Sequence, residues 1–351
     1  MTYSHSEKIQ ELHRRLSEAS EIVIATHMKP DGDAIGSSLG MYHTLGLYGK
    51  KGKIVISDAP ASNLDFLLSD EARKDIFIYD SDSQRTIDVI RSSDLIICLD
   101  FNAFHRTDAL ERHLEESTAS KILIDHHLSP DSEKFDLVFS ETEISSASEL
   151  LYHILKSLPP IDNDVRRFPK EAAMALMTGM TTDTNNFANS VYPSTLMMAS
   201  ELIAAGVDRN HIIQKIYNSF RESRIRLQGH ILKDLMTITE DKVAYVVLDK
   251  ATLDLYDVQE GDTEGFVNIP LSIDGVLMSI LVKEDNGKAR ISIRSKKGTS
   301  ANRCAGLHFN GGGHENAAGG RLYMPADIAD ISKAAEYIER HTHIFMTQEN
   351  E

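Results

Sequence analysis

The sequence predicts an α/β protein: an N-terminal domain built on a parallel sheet with helices on both faces, and a smaller C-terminal α/β domain with a mixed sheet. Three observations predict it. The first half alternates short β-rich runs with helical segments, the pattern of βαβ units. From residue 242 onward the apolar period becomes two. A length of 351 residues suits two domains better than one.

In order, residues 1–15 read as an amphipathic helix, 21–26 (EIVIAT) as a buried strand, and 34–47 as a helix rich in small residues. Strands follow at 53–57, 76–79 and 94–100, then a polar helix at 106–117 and a strand at 121–125. Residues 145–206 are helical, and the Ala/Met-rich stretch 171–181 reads as core packing. Two helices joined near Ser219 cover 208–236. Strands are expected at 242–248, 276–283 and 289–294, with Asp285-Asn286-Gly287 as a hairpin turn. A last helix covers 326–341, and 349–351 should fray. The domains are therefore placed at 1–205 (catalytic) and 240–345 (substrate-binding), with 206–239 as a helical linker.

Composition excludes several classes. The net charge of −16 lacks the basic footprint of a protein that grips long duplex nucleic acid. Two cysteines, Cys98 and Cys304, make neither a disulfide framework nor a thiolate zinc site. Cys98 lies in an apolar run and reads as a core residue. No signal-peptide core and no apolar run of ~18 residues is present, so a cytoplasmic protein without membrane contact is expected. A homodimer is left open.

The chemistry concentrates where strands end. After the first strand comes His27-Met28-Lys29-Pro30-Asp31-Gly32-Asp33, which alone reads equally well as a turn, with Asp33 capping the next helix. The run 94–100 ends in Asp100, and the run 121–125 leads into Asp125, His126 and His127. The carboxyl ends of parallel strands share one edge, where ligands bind. Asp183 follows the Ala/Met-rich helix. Carboxylates brought together raise one another's pKa values unless cations neutralise them. Two divalent ions would balance Asp31, Asp33, Asp100 and Asp183, with His27 and His126 as neutral ligands. An all-oxygen-and-nitrogen set suits Mn²⁺, with Mg²⁺, Co²⁺ or Fe²⁺ as alternatives. Paired metals of this kind activate water and clamp a phosphoryl group.

These residues resemble the motifs of the DHH phosphoesterase family: HMKPDGDAIGSSLG at 27–40, CLDFNAFHR at 98–106, IDHH at 124–127 and TTDTNNF at 181–187. ISIRSK at 291–296 and GGGHENAAGG at 311–320 resemble those of the DHH-associated substrate domain. Within the family the chain most resembles the type that joins oligoribonuclease and pAp phosphatase activities. The resemblance implies that His27, Asp31 and Asp100 hold one ion. Asp33, Asp100, His126 and Asp183 would hold the other, with Asp100 as bridge. It implies that His127 contacts the scissile phosphate, that Asp125 orients its loop, and that Arg106 assists. One departure is Asn310, where the family often has glycine.

In the second domain Lys283, Lys288, Arg290, Arg294, Lys296, Lys297, Arg303 and Arg321 outnumber Glu284, Asp285 and Glu315, a local positive patch in an acidic chain. Gly311-Gly312-Gly313-His314 can form a phosphate-binding backbone nest, read here beside a helix start at Ala317-Ala318-Gly319. With Arg294 and Ser295 it would bind the far end of a nucleotide. The resemblance implies as substrates short oligoribonucleotides (about two to five nucleotides), giving 5′-mononucleotides, and pAp, giving AMP and phosphate. Alternatives are a phosphodiesterase for cyclic dinucleotides or pApA, a polyphosphatase or pyrophosphatase, a single-strand DNA exonuclease, and an inactive nucleotide-binding sensor.

Overall fold

Apolar runs bounded by turn residues become strands in the computed structural model, which describes residues 7–259 and 261–349. Two units result, Met1–Ser219 and Phe220–Glu351. In the first, β1 (Ile22–Ala25), β2 (Gly52–Ile56), β3 (Ile76–Ile78), β4 (Leu95–Leu99), β5 (Ser120–Asp125) and β6 (Leu137–Ser140) form one sheet in the order β3-β2-β1-β4-β5-β6. Every pairing in it is parallel. The strand order reverses between β1 and β4, so the connections leave a crevice at the carboxyl ends of those two strands.

The first unit's helices are α1 (Glu7–Glu18), α2 (Gly32–Leu45), α3 (Asp70–Lys74), α4 (Ser83–Arg91), α5 (Glu111–Glu115), α6 (Ala147–Lys156), α7 (Lys170–Asp183), α8 (Pro193–Ala204) and α9 (Arg209–Tyr217). Alternation along the strands builds two apolar layers. Ile24, Ile97 and Ile124 pack with Ile35, Leu39, Leu151 and Leu176 on one face. Val23, Cys98 and Leu123 pack with Val89, Ile90 and Leu114 on the other. Cys98 is thus the core residue expected. The helix expected at 106–117 is shorter. Residues Phe104–Leu110 form 3₁₀ turns interrupted at Asp108 (φ 50), and α5 follows. The buried positions Phe104, Thr107 and Leu110 recur every three residues, which suits the tighter helix.

A seam of small residues fixes α2 against α7. Gly32, Gly36 and Gly40 share one stripe of α2. A methyl at Gly36 would lie 2.6 Å from the Ala175 carbonyl, and one at Gly40 2.6 Å from the Leu176 side chain. A methyl at Gly179 would collide with Ser148 and the Asp33 carboxylate. We expect Gly36→Ala to destabilise the protein by about 1–3 kcal/mol in denaturant unfolding, through overpacking. Helix propensity alone would favour alanine by about 0.5–1 kcal/mol, so a stabilised variant would contradict the seam.

The second unit holds α10 (Glu222–His230), a π turn at Ile231–Leu235, β7 (Thr237–Ile238), β8 (Val243–Leu248), α11 (Lys250–Leu255), β9 (Met278–Asp285), β10 (Lys288–Ser295), α12 (Ala301–His308), β11 (Gly312–His314), β12 (Ala317–Tyr323) and α13 (Ala334–Glu349). The sheet order is β11-β12-β10-β9-β8-β7. Strands β8 and β9 run parallel and the other pairs antiparallel, which makes the sheet mixed as expected. Asn286 (φ 43) and Gly287 (φ 78) make the β9–β10 turn.

Two expectations are corrected. Residues 317–323 are a strand and not a helix start, because Ala318 and Leu322 alternate into the core beside Ile291 and Ile293. The last helix begins at Ala334, after Asp330 caps a separate 3₁₀ turn. Within 206–239, Ile212 and Ile216 are buried in the first unit's core, whereas Leu227 and Ile231 belong to a cluster with Val246 and Leu281. The expected N-terminal helix is described from Glu7. Residues 1–6 and the last two positions of the expected frayed tail lie outside the described residues. No helix among the described residues is long and apolar enough to cross a membrane.

Candidate metal centre

The crevice between β1 and β4 gathers the predicted ligands. Thr26 Oγ1 donates to the Leu99 carbonyl (2.8 Å), pinning the end of β1 to β4. His27 follows, with its Nδ1 2.8 Å from the Met28 carbonyl. A carbonyl can only accept, so Nδ1 carries the hydrogen. In the neutral ring Nε2 therefore presents a lone pair toward Asp100 Oδ2 (3.4 Å) and Asp31 Oδ1 (3.8 Å). Three acceptors converge there, an arrangement that only a cation or an added proton satisfies.

Asp31, and not Asp33, caps α2: its Oδ1 accepts from the amides of Asp33 (3.0 Å) and Ala34 (3.1 Å). Asp33 is buried and held from a different helix. Its Oδ2 accepts from Ala147 N (2.7 Å) and its Oδ1 from Ser148 N (2.9 Å), two amides in the first turn of α6. These anchors lie outside the expectations drawn from the sequence. Their signal was Ser146 with Glu149 three residues later, a helix-start pattern, and Ser146 does cap α6 by accepting from Glu149 N.

Asp100 leaves β4 in the left-handed region (φ 63), which few residue types but Asn and Asp adopt readily. That turn puts it between the histidines: Oδ2 faces His27, and Oδ1 lies 3.4 Å from His126 Nε2. Oδ1 is buried with no hydrogen-bond partner. His126 Nε2 also lies 3.6 Å from Asp183 Oδ2 and 3.9 Å from Asp33 Oδ2. Donor atoms of His27, Asp31 and Asp100 fall within 4.8 Å of one another, as do those of Asp33, His126 and Asp183. All six predicted ligands therefore meet, in two groups with Asp100 between them.

The protein alone crowds charge here. Burial, offset by His126 but reinforced by Asp100 and Asp31, pushes Asp183 up to about 7. Burial, then Asp100 and Asp183, raises Asp33 well above the carboxylate range. Burial opposes a charged His27, yet Asp100 and Asp31 outweigh it and raise the ring to about 9. His126 rises to about 10 against burial, through Asp100 and Asp183. Burial works against ionised Asp100 too, but His126 and His27 hold it far below its ordinary value. An orphaned carboxylate oxygen, converging acceptors and an oxygen-and-nitrogen donor set fit a divalent cation.

His127 is oriented by Asp125. One carboxylate oxygen accepts from Nδ1 (2.7 Å) and the other from the His127 amide (3.1 Å). Arg106 lies close enough for its charge to oppose protonation of His27, and its carbonyl accepts from Met28 N (2.8 Å).

Residues 21–180 match the DHH family, N-terminal domain, and residues 240–340 match the DHHA1 domain. The bifunctional oligoribonuclease and PAP phosphatase NrnA of Thermus thermophilus is 30% identical over 307 residues, covering 86% of this chain and 84% of that protein. The chain belongs to the DHH family. An exopolyphosphatase-related protein from Bacteroides fragilis shares 36% identity at a TM-score of 0.91, with 100% of each chain covered. RecJ from Thermus thermophilus, solved with Mn²⁺, shares the fold at 15% identity and a TM-score of 0.56, over 97% of this chain and 55% of that one.

The DHHA1 part carries the remaining candidates of this DHH protein. Arg294 ends the half-buried row of β10, its Nη1 donating to the Ile293 carbonyl (2.9 Å), and burial lowers its pKa. Ser295 Oγ donates to the Thr299 carbonyl (2.6 Å) and accepts from Asn316 (3.0 Å), so it braces its loop. Gly312, Gly313 and His314 form the exposed edge strand β11 beside β12. Gly313 N already donates to Asn302 (2.8 Å). A methyl at Gly311 would collide with the Gly319 carbonyl, so close strand packing requires that glycine. Asn310, the departure from the family pattern, takes the left-handed φ of 47 that glycine would take.

Proposed function

We propose that this chain hydrolyses short oligoribonucleotides (about two to five nucleotides) to 5′-mononucleotides, and pAp to AMP and phosphate, with two Mn²⁺ ions. The observation that carries the reading is Asp100, buried with one oxygen toward His27 and the other toward His126. His27, Asp31 and Asp100 would hold one ion; Asp33, Asp100, His126 and Asp183 would hold the other. Such ions, when bound, make water a nucleophile near neutral pH and neutralise phosphoryl oxygens.

The chain's own groups orient the substrate. Asp125 fixes the His127 ring through Nδ1, which leaves Nε2 to donate to a phosphoryl oxygen when the ring is protonated. Arg106 adds positive charge at the same edge. Arg294 and the segment Gly311 to His314 would contact a nucleotide, and Ser295 shapes that loop. The substrate class is supported by the NrnA relative, and the acidic chain disfavours long duplexes. The free thiols Cys98 and Cys304 suit a reducing cytoplasm.

The test offers equal amounts of a dinucleotide, pAp, cyclic di-AMP and a long single strand with Mn²⁺, and ranks initial rates. The dinucleotide and pAp should be fastest. A lead for cyclic di-AMP or the long strand would replace the substrate assignment. Tight nucleotide binding without turnover would leave a sensor.

A further inference from the structure

Asp183 is the last residue of α7, where a helix frays most easily. The chain beyond it is strained. Asn185, Asn186 and Phe187 have φ of 45, 57 and 67, three consecutive non-glycine residues in the left-handed region. That conformation crowds the Cβ against the following carbonyl and is costly, less so for asparagine. Local bonds hold part of the turn: Thr184 Oγ1 accepts from Phe187 N (3.1 Å). The Thr184 carbonyl accepts from Ala188 N and Asn189 N (both 2.9 Å).

The rest of the hold comes from α9. Arg209, its first residue, donates from Nη2 to Asn186 Oδ1 (2.5 Å), and its guanidinium sits 5.4 Å from the centre of the Phe187 ring. Tyr217, its last residue, donates to the Thr181 carbonyl (3.2 Å). The two ends of α9 therefore grip the chain on either side of Asp183. Strain persists only where the surroundings over-determine it, and it gathers at functional sites.

We propose that Arg209 is a positioning residue for the metal centre: by clamping the left-handed turn 185–187 it holds the Asp183 carboxylate against His126. The inference rests on the reading of Asp183 as a ligand. Arginine suits the task because its planar fork bonds Asn186 and stacks on Phe187 at once; lysine offers the charge without the plane.

The test titrates metal-free protein with Mn²⁺ alone by calorimetry, for the native chain, Arg209→Ala and Arg209→Lys. Melting temperature, and kcat and KM on pAp, are measured beside it. Arg209→Ala should weaken Mn²⁺ binding about tenfold, the scale for groups that orient metal ligands. Its kcat at fixed Mn²⁺ should fall with KM unchanged and melting within about 2–4 °C of native. Arg209→Lys should recover less than half of the loss. Native Mn²⁺ affinity in Arg209→Ala overturns the proposal. So does full rescue by lysine, which would reduce the effect to charge, or a loss that tracks general unfolding. A native chain that binds no Mn²⁺ would overturn the ligand assignment itself, and this inference with it.

Discussion

Asp100→Ala is expected to cut turnover of pAp by about a thousandfold or more, with the far-ultraviolet circular dichroism unchanged. No other ligand stands in both groups: Asp100 lies 3.4 Å from His27 Nε2 and 3.4 Å from His126 Nε2 through different oxygens. On the proposed reading its loss would remove a ligand from each ion and the negative charge between them. A thousandfold corresponds to about 4 kcal/mol of barrier, within what a metal pair contributes. Asp31→Ala is a useful contrast. It strips one group only, but it also removes the cap of α2, which costs about 1 kcal/mol of stability. An Asp100→Ala enzyme keeping more than about a tenth of native turnover would end the bridging role.

The second large effect is on stability. Without divalent ions the protein should melt at progressively lower temperature as pH rises from about 5 to about 9. Asp183 is pushed up to about 7 in the folded chain, against about 3.9 when unfolded. The folded state therefore binds more protons across that interval, and stability falls as pH climbs through it. His27 and His126, raised to about 9 and about 10, extend the fall. They keep protons that the unfolded chain releases near about 6.5. Asp100 has the opposite sign but acts only at acid pH, below its ordinary range. Each kcal/mol lost should move the melting point by about 2–4 °C. Saturating Mn²⁺ should flatten or reverse the slope, because the ion replaces those protons and binds better as they leave. At a hundredfold excess over its dissociation constant it should add about 2.7 kcal/mol. Scanning calorimetry at three pH values, with chelator or with Mn²⁺, checks this. Identical slopes in both would show that these groups do not share a cation.

His27, Asp100 and His126 are legible in the sequence because each sits one or two residues past an apolar strand run, and strand ends in a parallel sheet share an edge; Asp31 and Asp33 follow in the loop after His27, whereas Asp183 ends a helix. Strand β6 escaped notice because Leu137–Ser140 is only four residues long and sits among polar neighbours. The helix start read at Ala317 failed for a different reason. Alanine and glycine carry almost no periodic signal, so pairing with β10 decided the outcome. The anchoring of Asp33 on α6 joins residues more than a hundred positions apart, and no local pattern encodes such a meeting. The left-handed turn after Asp183 lies within the motif at 181–187, but one of its contacts comes from Arg209, which arrives from another helix.

The glycine seam between α2 and α7 has a consequence for ion size. At Gly36 the main chain of α2 lies against that of α7 at Ala175 and Gly179, while Gly32 and Gly40 meet the side chains of Thr182 and Leu176, so the helices that carry Asp33 and Asp183 have little room to draw closer. If Asp33 and Asp183 share an ion as proposed, calcium–oxygen distances of about 2.3–2.6 Å, against about 2.0–2.1 Å for magnesium, would ask more of that spacing. On that reading the seam would weigh ionic radius through residues that never touch the ion.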